Sequence, residues 1–135
     1  MENIIKTLTI RTNKSEEMIN ITDIVKKELN KTNIETGTII LFVPHTTAAI
    51  TINENADPDV KKDILFGMDK SFPKYKEYKH FEGNSFAHIK SSVIGVSQTL
   101  LVDGGRILLG QWQGIYYCEF DGPRSRELII RISGK

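Results

Sequence analysis

The chain is almost free of cysteine. Its one thiol, Cys118, has no second cysteine with which to form an intrachain disulfide. A chain of 135 residues can bury roughly two-thirds of its unfolded surface in one core, so it needs neither disulfides nor a structural metal to fold. A free thiol is typical of a reducing compartment. We therefore expect a single domain over residues 1–135 and a cytoplasmic location.

Long apolar runs are also absent. The longest strongly apolar stretch, Thr38–Val43, is far shorter than the roughly 20 residues that a membrane-spanning helix needs. Residues Met1 to Lys6 lack the apolar run of a signal peptide. We expect no membrane partner.

Neither sign of charge is in excess. The 18 Lys and Arg residues offset 17 Asp and Glu residues, which leaves a net charge of +1. Proteins that bind nucleic acid usually carry a clear basic excess. The sequence therefore does not favour a nucleic-acid partner, although a local basic pocket remains compatible with this balance.

Short alternating segments separated by turns predict about eight strands and two or three helices. An α+β fold with a largely antiparallel, sandwich-like core fits this pattern. The clearest helix has Asp57 as its N-cap and Pro58 at its first position, and it is predicted to end near Ser71. Residues 74–86 are aperiodic and predict a surface loop, whereas residues 93–102 predict a strand.

All three histidines have polar or turn-forming neighbours. His45 follows Pro44 at the junction of two predicted strands, and His80 and His88 flank a loop segment. Imidazole is a common metal ligand and the usual acid–base group near neutral pH. Three converging histidines can hold a divalent ion such as zinc and leave a position open, whereas magnesium would rely on carboxylates and substrate oxygens. The spacing equally permits three separate, hydrogen-bonded surface histidines.

Several charged residues are further candidates. Glu54 ends a predicted strand and can act as a general base or ligand, or simply build the turn that follows. Lys90 lies two positions after His88, hence on the same side if that segment is extended. Arg124 and Arg126 can grip a phosphate with paired N–H groups, or belong to an ordinary solvated turn.

For two other residues, Trp112 and Cys118, the sequence favours a structural role in the core. Trp112 can form a pocket wall, although an aromatic residue in a β-rich domain is more often in the core. Cys118 alternates with two aromatic residues along a predicted strand. We expect it to be buried and inert.

Five ordered segments resemble the YjbQ family of small bacterial and archaeal proteins across essentially the whole chain. They are Pro44-His45-Thr46-Thr47-Ala48, Ile52-Asn53-Glu54-Asn55-Ala56-Asp57-Pro58-Asp59, His88-Ile89-Lys90-Ser91-Ser92, Leu109-Gly110-Gln111-Trp112-Gln113-Gly114-Ile115-Tyr116 and Cys118-Glu119-Phe120-Asp121-Gly122-Pro123-Arg124. Gln111 stands where the family pattern has Thr or Ser.

The resemblance implies a β-rich domain that assembles as a homotrimer, with a cleft near a subunit boundary. Family members are often labelled secondary thiamine-phosphate synthase, an activity that joins a pyrimidine diphosphate to a thiazole phosphate and releases pyrophosphate. That activity is regarded as a side reaction, so the physiological substrate stays open. No organic cofactor is expected.

The residues and the resemblance together give three sets of candidate site residues. The catalytic set is His45, Glu54, His88 and Lys90. The metal set is His45, His80 and His88, and the ligand-binding set is Asn84, Gln113 and Arg124.

Three hypotheses follow for the function. In the first, the protein is an enzyme acting on a phosphorylated small molecule, with Lys90 steadying charge on the leaving group. In the second, it is a metal- or metabolite-binding trimer without turnover. In the third, it is a structural oligomer whose histidines stabilise interfaces.

Overall fold

Two antiparallel sheets and three helices make up the computed structural model, which describes all residues from 1 to 135. In chain order the elements are β1 (Glu2–Arg11), β2 (Glu17–Asn20), α1 (Thr22–Asn30), β3 (Gly37–Phe42), β4 (Ala48–Glu54), α2 (Pro58–Ser71), α3 (Ser85–Ile94), β5 (Ser97–Asp103), β6 (Arg106–Ile107), β7 (Gln113–Glu119) and β8 (Ser125–Gly134). None of the helices has the length and apolar character that crossing a bilayer would require.

The strands form a five-stranded sheet and a three-stranded sheet. The larger sheet has the order β1-β8-β3-β5-β6 and the smaller one the order β2-β7-β4, and every pairing is antiparallel. The predicted α+β class, the eight strands and the antiparallel pairing are therefore confirmed.

The main core lies between the two sheets. On β3, Ile39 and Leu41 point inward and are fully buried, and they pair with Ile132 and Ile130 of β8. Tyr117 faces them from β7. Since side chains alternate between the two faces of a strand, the residues between these positions point away from the core.

Helix α2 confirms the clearest helical prediction. The Asp57 side chain accepts a hydrogen bond from the Asp59 backbone N–H at 2.9 Å, and Pro58 occupies the first turn, where its missing N–H is not needed. The helix ends at Ser71, as predicted. Ile64 packs against a second apolar cluster on the outer side of the smaller sheet.

Helix α3 corrects two predictions. The predicted loop ends before Ser85, and the predicted strand at residues 93–102 begins only at Ser97 because residues 93 and 94 end the helix. Burial of Phe86 and Lys90, four residues apart, defines the inward face of α3. Gly95, with a φ of 99°, then turns the chain into β5.

Candidate functional site

The three histidines line two adjoining cavities at one end of the molecule. A cavity of about 390 Å³ contains His45 in its wall, and a neighbouring cavity of about 280 Å³ contains His80. Thr46 and His88 line both cavities, which therefore adjoin and are treated together as one cleft. We call it the polar cleft and define it by His45, Thr46, His80, Asn84, His88 and Arg124.

The cleft lies where β7 ends and β4 and β8 begin. Ala48 of β4 pairs with Glu119 of β7, and the Phe120 N–H donates to the Thr47 carbonyl at 3.1 Å. The segment before β4 supplies His45, and the turn after β7 supplies Arg124. The first turns of α3 and the loop before it close the other side.

A buried ion pair supports the floor of the cleft. Arg126 donates through Nε to Glu119 Oε1 at 2.9 Å and through Nη2 to Glu119 Oε2 and to Thr47 Oγ1, and both charged side chains are inaccessible to solvent. Glu119 also accepts from Thr12 Oγ1 and from the Asp121 N–H. Arg126 is thus occupied, and its predicted phosphate-binding role is wrong.

The hydrogen bonds of Glu119 determine its ionisation. Burial alone would raise the pKa of its carboxyl group. Hydrogen bonds from Arg126, Asp121 and Thr12, with the charge of Arg126, outweigh burial and lower that pKa. The pair therefore stays ionised and holds Thr47 and Asp121 in place.

His45 is held by a backbone hydrogen bond. Its Nε2 accepts from the Glu127 N–H at 2.9 Å. Burial and the nearby Arg126 lower the pKa of His45, which favours the neutral ring. An Nε2 that accepts leaves the proton on Nδ1, so the ring can donate a hydrogen bond but not accept one through its other nitrogen.

His80 and His88 stack edge to face. Their ring centroids are 5.3 Å apart at an interplanar angle of 87°, and His80 Nε2 lies 3.9 Å from Glu82 Oε2. No three His, Cys, Asp or Glu side chains of the chain are grouped closely enough to hold a metal ion. One chain therefore does not group His45, His80 and His88 closely enough to share an ion, and the metal set predicted from the sequence stays a prediction.

Asn84, Asp121 and Arg124 form a connected group on the far wall. The Asp121 Oδ2 atom accepts from Asn84 Nδ2 at 2.8 Å and from Arg124 Nη2 at 3.1 Å. Arg124 Nε donates to the Asp121 carbonyl at 2.9 Å. The Arg124 side chain is still about half exposed, which leaves other guanidinium N–H groups free for a ligand.

Lys90 lies outside the cleft, which corrects a prediction. Residues two apart lie on the same side of a strand but on nearly opposite sides of a helix, so Lys90 points away from His88. Its ammonium group is fully buried, bonds Glu16 and Asp69, and lies over the rings of Phe86 and Phe120. Its predicted place beside His88 is wrong.

Glu54 and Gln113 lie at the other end of the smaller sheet. They pair with each other across β4 and β7, and seven residues of β4 correspond to roughly 20 Å of strand. Glu54 Oε2 accepts from the Ala56 N–H, and Gln113 Oε1 accepts from the Gly110 N–H. One chain does not bring them to the polar cleft, and their predicted roles stay predictions.

Of the two residues predicted to lie in the core, Cys118 is buried and Trp112 is exposed. Cys118 is buried, and burial raises the pKa of its thiol to about 12, as expected of an inert cysteine. Trp112 is 56% exposed, which contradicts a place in the core, and it lines no cavity of the single chain, so its role as a pocket wall stays a prediction.

Two charged residues of the cleft wall carry no predicted site role. Asp121 lies in a segment of the family pattern and Glu82 in the predicted loop at residues 74–86, and both line the cleft. The proximity of Asp121 to Arg124 in the chain was the available signal, because an acidic residue three positions from an arginine can orient its guanidinium group.

The sequence matches one known family along nearly its whole length. The family described as "UPF0047 protein YjbQ-like" matches residues 6–135. UPF0047 protein YugU of Bacillus subtilis is 54% identical over 97% of this chain and 100% of its own. UPF0047 protein MJ1081 of Methanocaldococcus jannaschii is 50% identical over 93% of this chain and 91% of its own.

Solved structures agree with the fold. An uncharacterised conserved YjbQ/UPF0047 protein from Clostridium acetobutylicum superposes with a TM-score of 0.92 at 50% identity, covering 95% of this chain and 99% of that one. A YbjQ-like protein of unknown function from Sulfolobus solfataricus superposes with a TM-score of 0.94 at 30% identity, covering 99% of both chains. Neither description names an activity.

Proposed function

We propose that this chain, which belongs to the UPF0047 family of YjbQ-like proteins, is a small enzyme acting on a phosphorylated small molecule in the polar cleft. One observation carries the proposal. A half-exposed arginine, a neutral imidazole donor and a second imidazole share a single cleft, one cavity of which has no hydrophobic residue in its lining. They are Arg124, His45 and His88.

The phosphate group would bind between Arg124 and the N-terminus of α3. Arginine presents paired N–H groups that match phosphate oxygens. The first turn of α3 contains no acidic residue, and no side chain caps its N–H groups. Free backbone N–H groups at a helix start favour an anion.

His45 would donate a hydrogen bond to an oxygen of the bound molecule. Its Nε2 is committed to Glu127, so Nδ1–H is the group that the ring has to offer. A fixed donor aimed at an oxygen that gains negative charge stabilises a transition state. His45 therefore acts as an electrophile in this proposal and not as a base.

His88 is the remaining reactive group. It lines both cavities, so it lies between the predicted phosphate position and the rest of the ligand. It either moves a proton or holds a cation. A divalent cation bound there would neutralise phosphate charge.

Secondary thiamine-phosphate synthase activity is the reaction that the family resemblance favours. In that reaction a thiazole phosphate is joined to a pyrimidine diphosphate with loss of pyrophosphate. Arg124 and the α3 N-terminus would hold the departing pyrophosphate. This activity is proposed as a side reaction, with another phosphorylated metabolite as the physiological substrate.

A binding module without turnover is the second candidate. Glu54 and Lys90, two of the four residues predicted to be catalytic, lie outside the cleft in the single chain. The cleft alone therefore holds fewer reactive groups than the sequence predicted, while Arg124 remains in it as an anion-binding group.

A homotrimer is proposed for the assembly. The outward face of the larger sheet exposes large apolar side chains on β1, β3 and β5, namely Ile5, Ile40, Phe42 and Leu101. Arg131 of β8 lies between Ile5 and Ile40 on this face, and exposed apolar side chains rimmed by polar ones are typical of protein interfaces. Light scattering on the purified protein would give its mass in solution, and a monomeric mass would contradict the trimer.

A turnover assay tests the proposed enzyme. Purified protein is incubated with a panel of phosphate monoesters and diphosphates, and released phosphate or pyrophosphate is measured. Replacing His88 or Arg124 by alanine should lower kcat/KM by about 100-fold or more. Arg106→Ala, at an exposed arginine in the β5–β6 hairpin, is the control and should retain activity.

Two results would contradict the enzyme. Full activity in the His88→Ala protein would remove the cleft as the active site. Product that never exceeds one equivalent per chain would instead favour the binding module.

A further inference from the structure

One buried polar atom of the protein has no hydrogen-bond partner. The Asn84 side chain is about nine-tenths buried and lines the polar cleft. Its Oδ1 is the single buried side-chain nitrogen or oxygen without a partner. Leaving a buried acceptor unpaired costs free energy, and a cation or donor bound to this oxygen would offset that cost.

The helix does not use this oxygen. Asn84 is the N-cap of α3, where an asparagine oxygen normally accepts from the N–H groups of the first turn. No such side-chain bond forms here, and the Ala87 and His88 N–H groups both donate to the Asn84 backbone carbonyl.

Asp121 determines which way the amide faces. Its Oδ2 accepts from Asn84 Nδ2 at 2.8 Å, and a carboxylate cannot serve an amide oxygen in the same way. Exchanging the two amide atoms would therefore place one acceptor against another. Asp121, which is itself held by Arg124, thus orients Oδ1, which is left without a partner.

Two imidazoles line the same cavity as Asn84. His88 lies four residues after Asn84 and hence on the same face of the chain as it enters α3. The His80 ring packs against the His88 ring with centroids 5.3 Å apart. Imidazole nitrogens with an oxygen donor suit zinc, nickel or cobalt ions.

We propose that His80, His88 and Asn84 Oδ1 are the protein ligands of a divalent transition-metal ion in the polar cleft, and that His45 is not a ligand. Histidine and carboxylate side chains alone do not form a group of three in this chain, and the amide oxygen completes the set. A three-ligand site leaves positions open for water or a phosphate oxygen. His45 is excluded because its Nε2 is committed to Glu127.

Asp121 has a positioning role in this site. Outer partners that orient a metal ligand affect affinity almost as strongly as the ligands themselves. Asp121→Asn should therefore weaken metal binding, although Asp121 does not contact the ion. The inference rests on the proposed function in two respects only. Both use the polar cleft, and the metal site leaves a position open for the phosphate group of the proposed substrate.

Cobalt titration tests the ligand set without any activity assay. Tag-free protein stripped of metal is titrated with Co²⁺, and binding is followed by calorimetry and by the visible absorption of the bound ion. Wild type should bind one Co²⁺ per chain. His80→Ala, His88→Ala and Asn84→Ala should each weaken binding by about 10-fold or more, and His45→Ala should leave the affinity within about two-fold.

Several outcomes would overturn the assignment. They are no Co²⁺ binding by wild type, a His45→Ala loss as large as that of His88→Ala, or unchanged affinity in a folded Asn84→Ala protein. The last result would assign Asn84 Oδ1 to a hydrogen-bond donor of the substrate. His80 lies in an exposed loop, so His80→Ala remains decisive if Asn84→Ala fails to fold.

Failure of the metal site and failure of the enzyme are distinguishable. Phosphate-releasing activity that persists in a chelator and in His80→Ala would remove the metal site and leave the enzyme standing. Stoichiometric Co²⁺ binding with no turnover on any phosphorylated compound would support the metal site and contradict the enzyme.

Discussion

The backbone N–H of Glu127 donates to Nε2 of His45 across 2.9 Å and 82 residues of sequence. A backbone amide can only donate, so it determines which ring nitrogen of His45 carries the proton. A backbone group near the start of β8 therefore sets the tautomer of His45, which lies on the segment between β3 and β4. His45 becomes a neutral donor, which separates it from the other two histidines.

The tautomer of His45 can be read by nuclear magnetic resonance. Long-range ¹H–¹⁵N correlations should show a protonated Nδ1 and an unprotonated Nε2 at neutral pH. Because burial and Arg126 lower the pKa of this ring, the neutral pattern should persist at pH 6.5, the value for an unperturbed histidine. A protonated Nε2 at neutral pH would contradict the assignment.

The Glu119–Arg126 pair should be required for stability. Glu119→Ala leaves the Arg126 charge buried without its partner, which costs about 3–5 kcal/mol of unfolding free energy. Urea denaturation measures this loss. Glu127→Ala removes an exposed carboxylate nearby and should change stability by no more than about 0.5 kcal/mol. Equal stabilities of the two variants would contradict a supporting role for the pair.

Lys90 should matter for neither ligand binding nor turnover. Its partners Glu16 and Asp69 are partly exposed, so water can solvate them when the ammonium group is removed. Lys90→Met keeps most of the buried volume and should change stability by about 1 kcal/mol. Its kcat/KM should match wild type, and a loss as large as that of Arg124→Ala would restore Lys90 to the site.

Local signals explain which parts of the fold were predictable. Asp57 and Pro58 encode the start of α2 in adjacent positions, and the structure confirms that start. Helix α3 carries no such signal, because no side chain caps it and Ile89, Val93 and Ile94 are typical of strands. Its helical form depends on packing Phe86 and Ala87 against the smaller sheet.

The site was predictable in its residue types but not in its contacts. All three histidines reach the cleft, and His45 and His88 belong to segments of the family pattern. Glu16, one partner of Lys90, is 74 residues away from it, and Glu127, the partner of His45, is 82 residues away. Such pairings arise from the strand order and leave no trace in local spacing.

Glu28 should make stability depend on acid pH. Burial raises the pKa of its carboxyl group, but hydrogen bonds from Lys6 and Lys31 outweigh it and lower that pKa below the ordinary 4.5. The ionised form therefore stabilises the fold above pH 4.5, and this contribution is lost as the pH falls through the lower folded-state value.

Denaturation curves across this acid range measure the effect. Unfolding free energy should fall less steeply with decreasing pH in Glu28→Gln than in wild type. Glu82→Gln, at an exposed loop carboxylate, should follow the wild-type curve. If Glu28→Gln also follows it, the Lys6 and Lys31 contacts do not hold in solution.

Calorimetric titration with pyrophosphate tests the polar cleft most directly. Wild type and Arg106→Ala should bind one pyrophosphate per chain with the same affinity. Arg124→Ala should bind at least about 10-fold more weakly, because it loses the charged N–H groups that face the anion. Equal affinity in Arg124→Ala and wild type, or no binding by any of the three proteins, would contradict a phosphate site in this cleft.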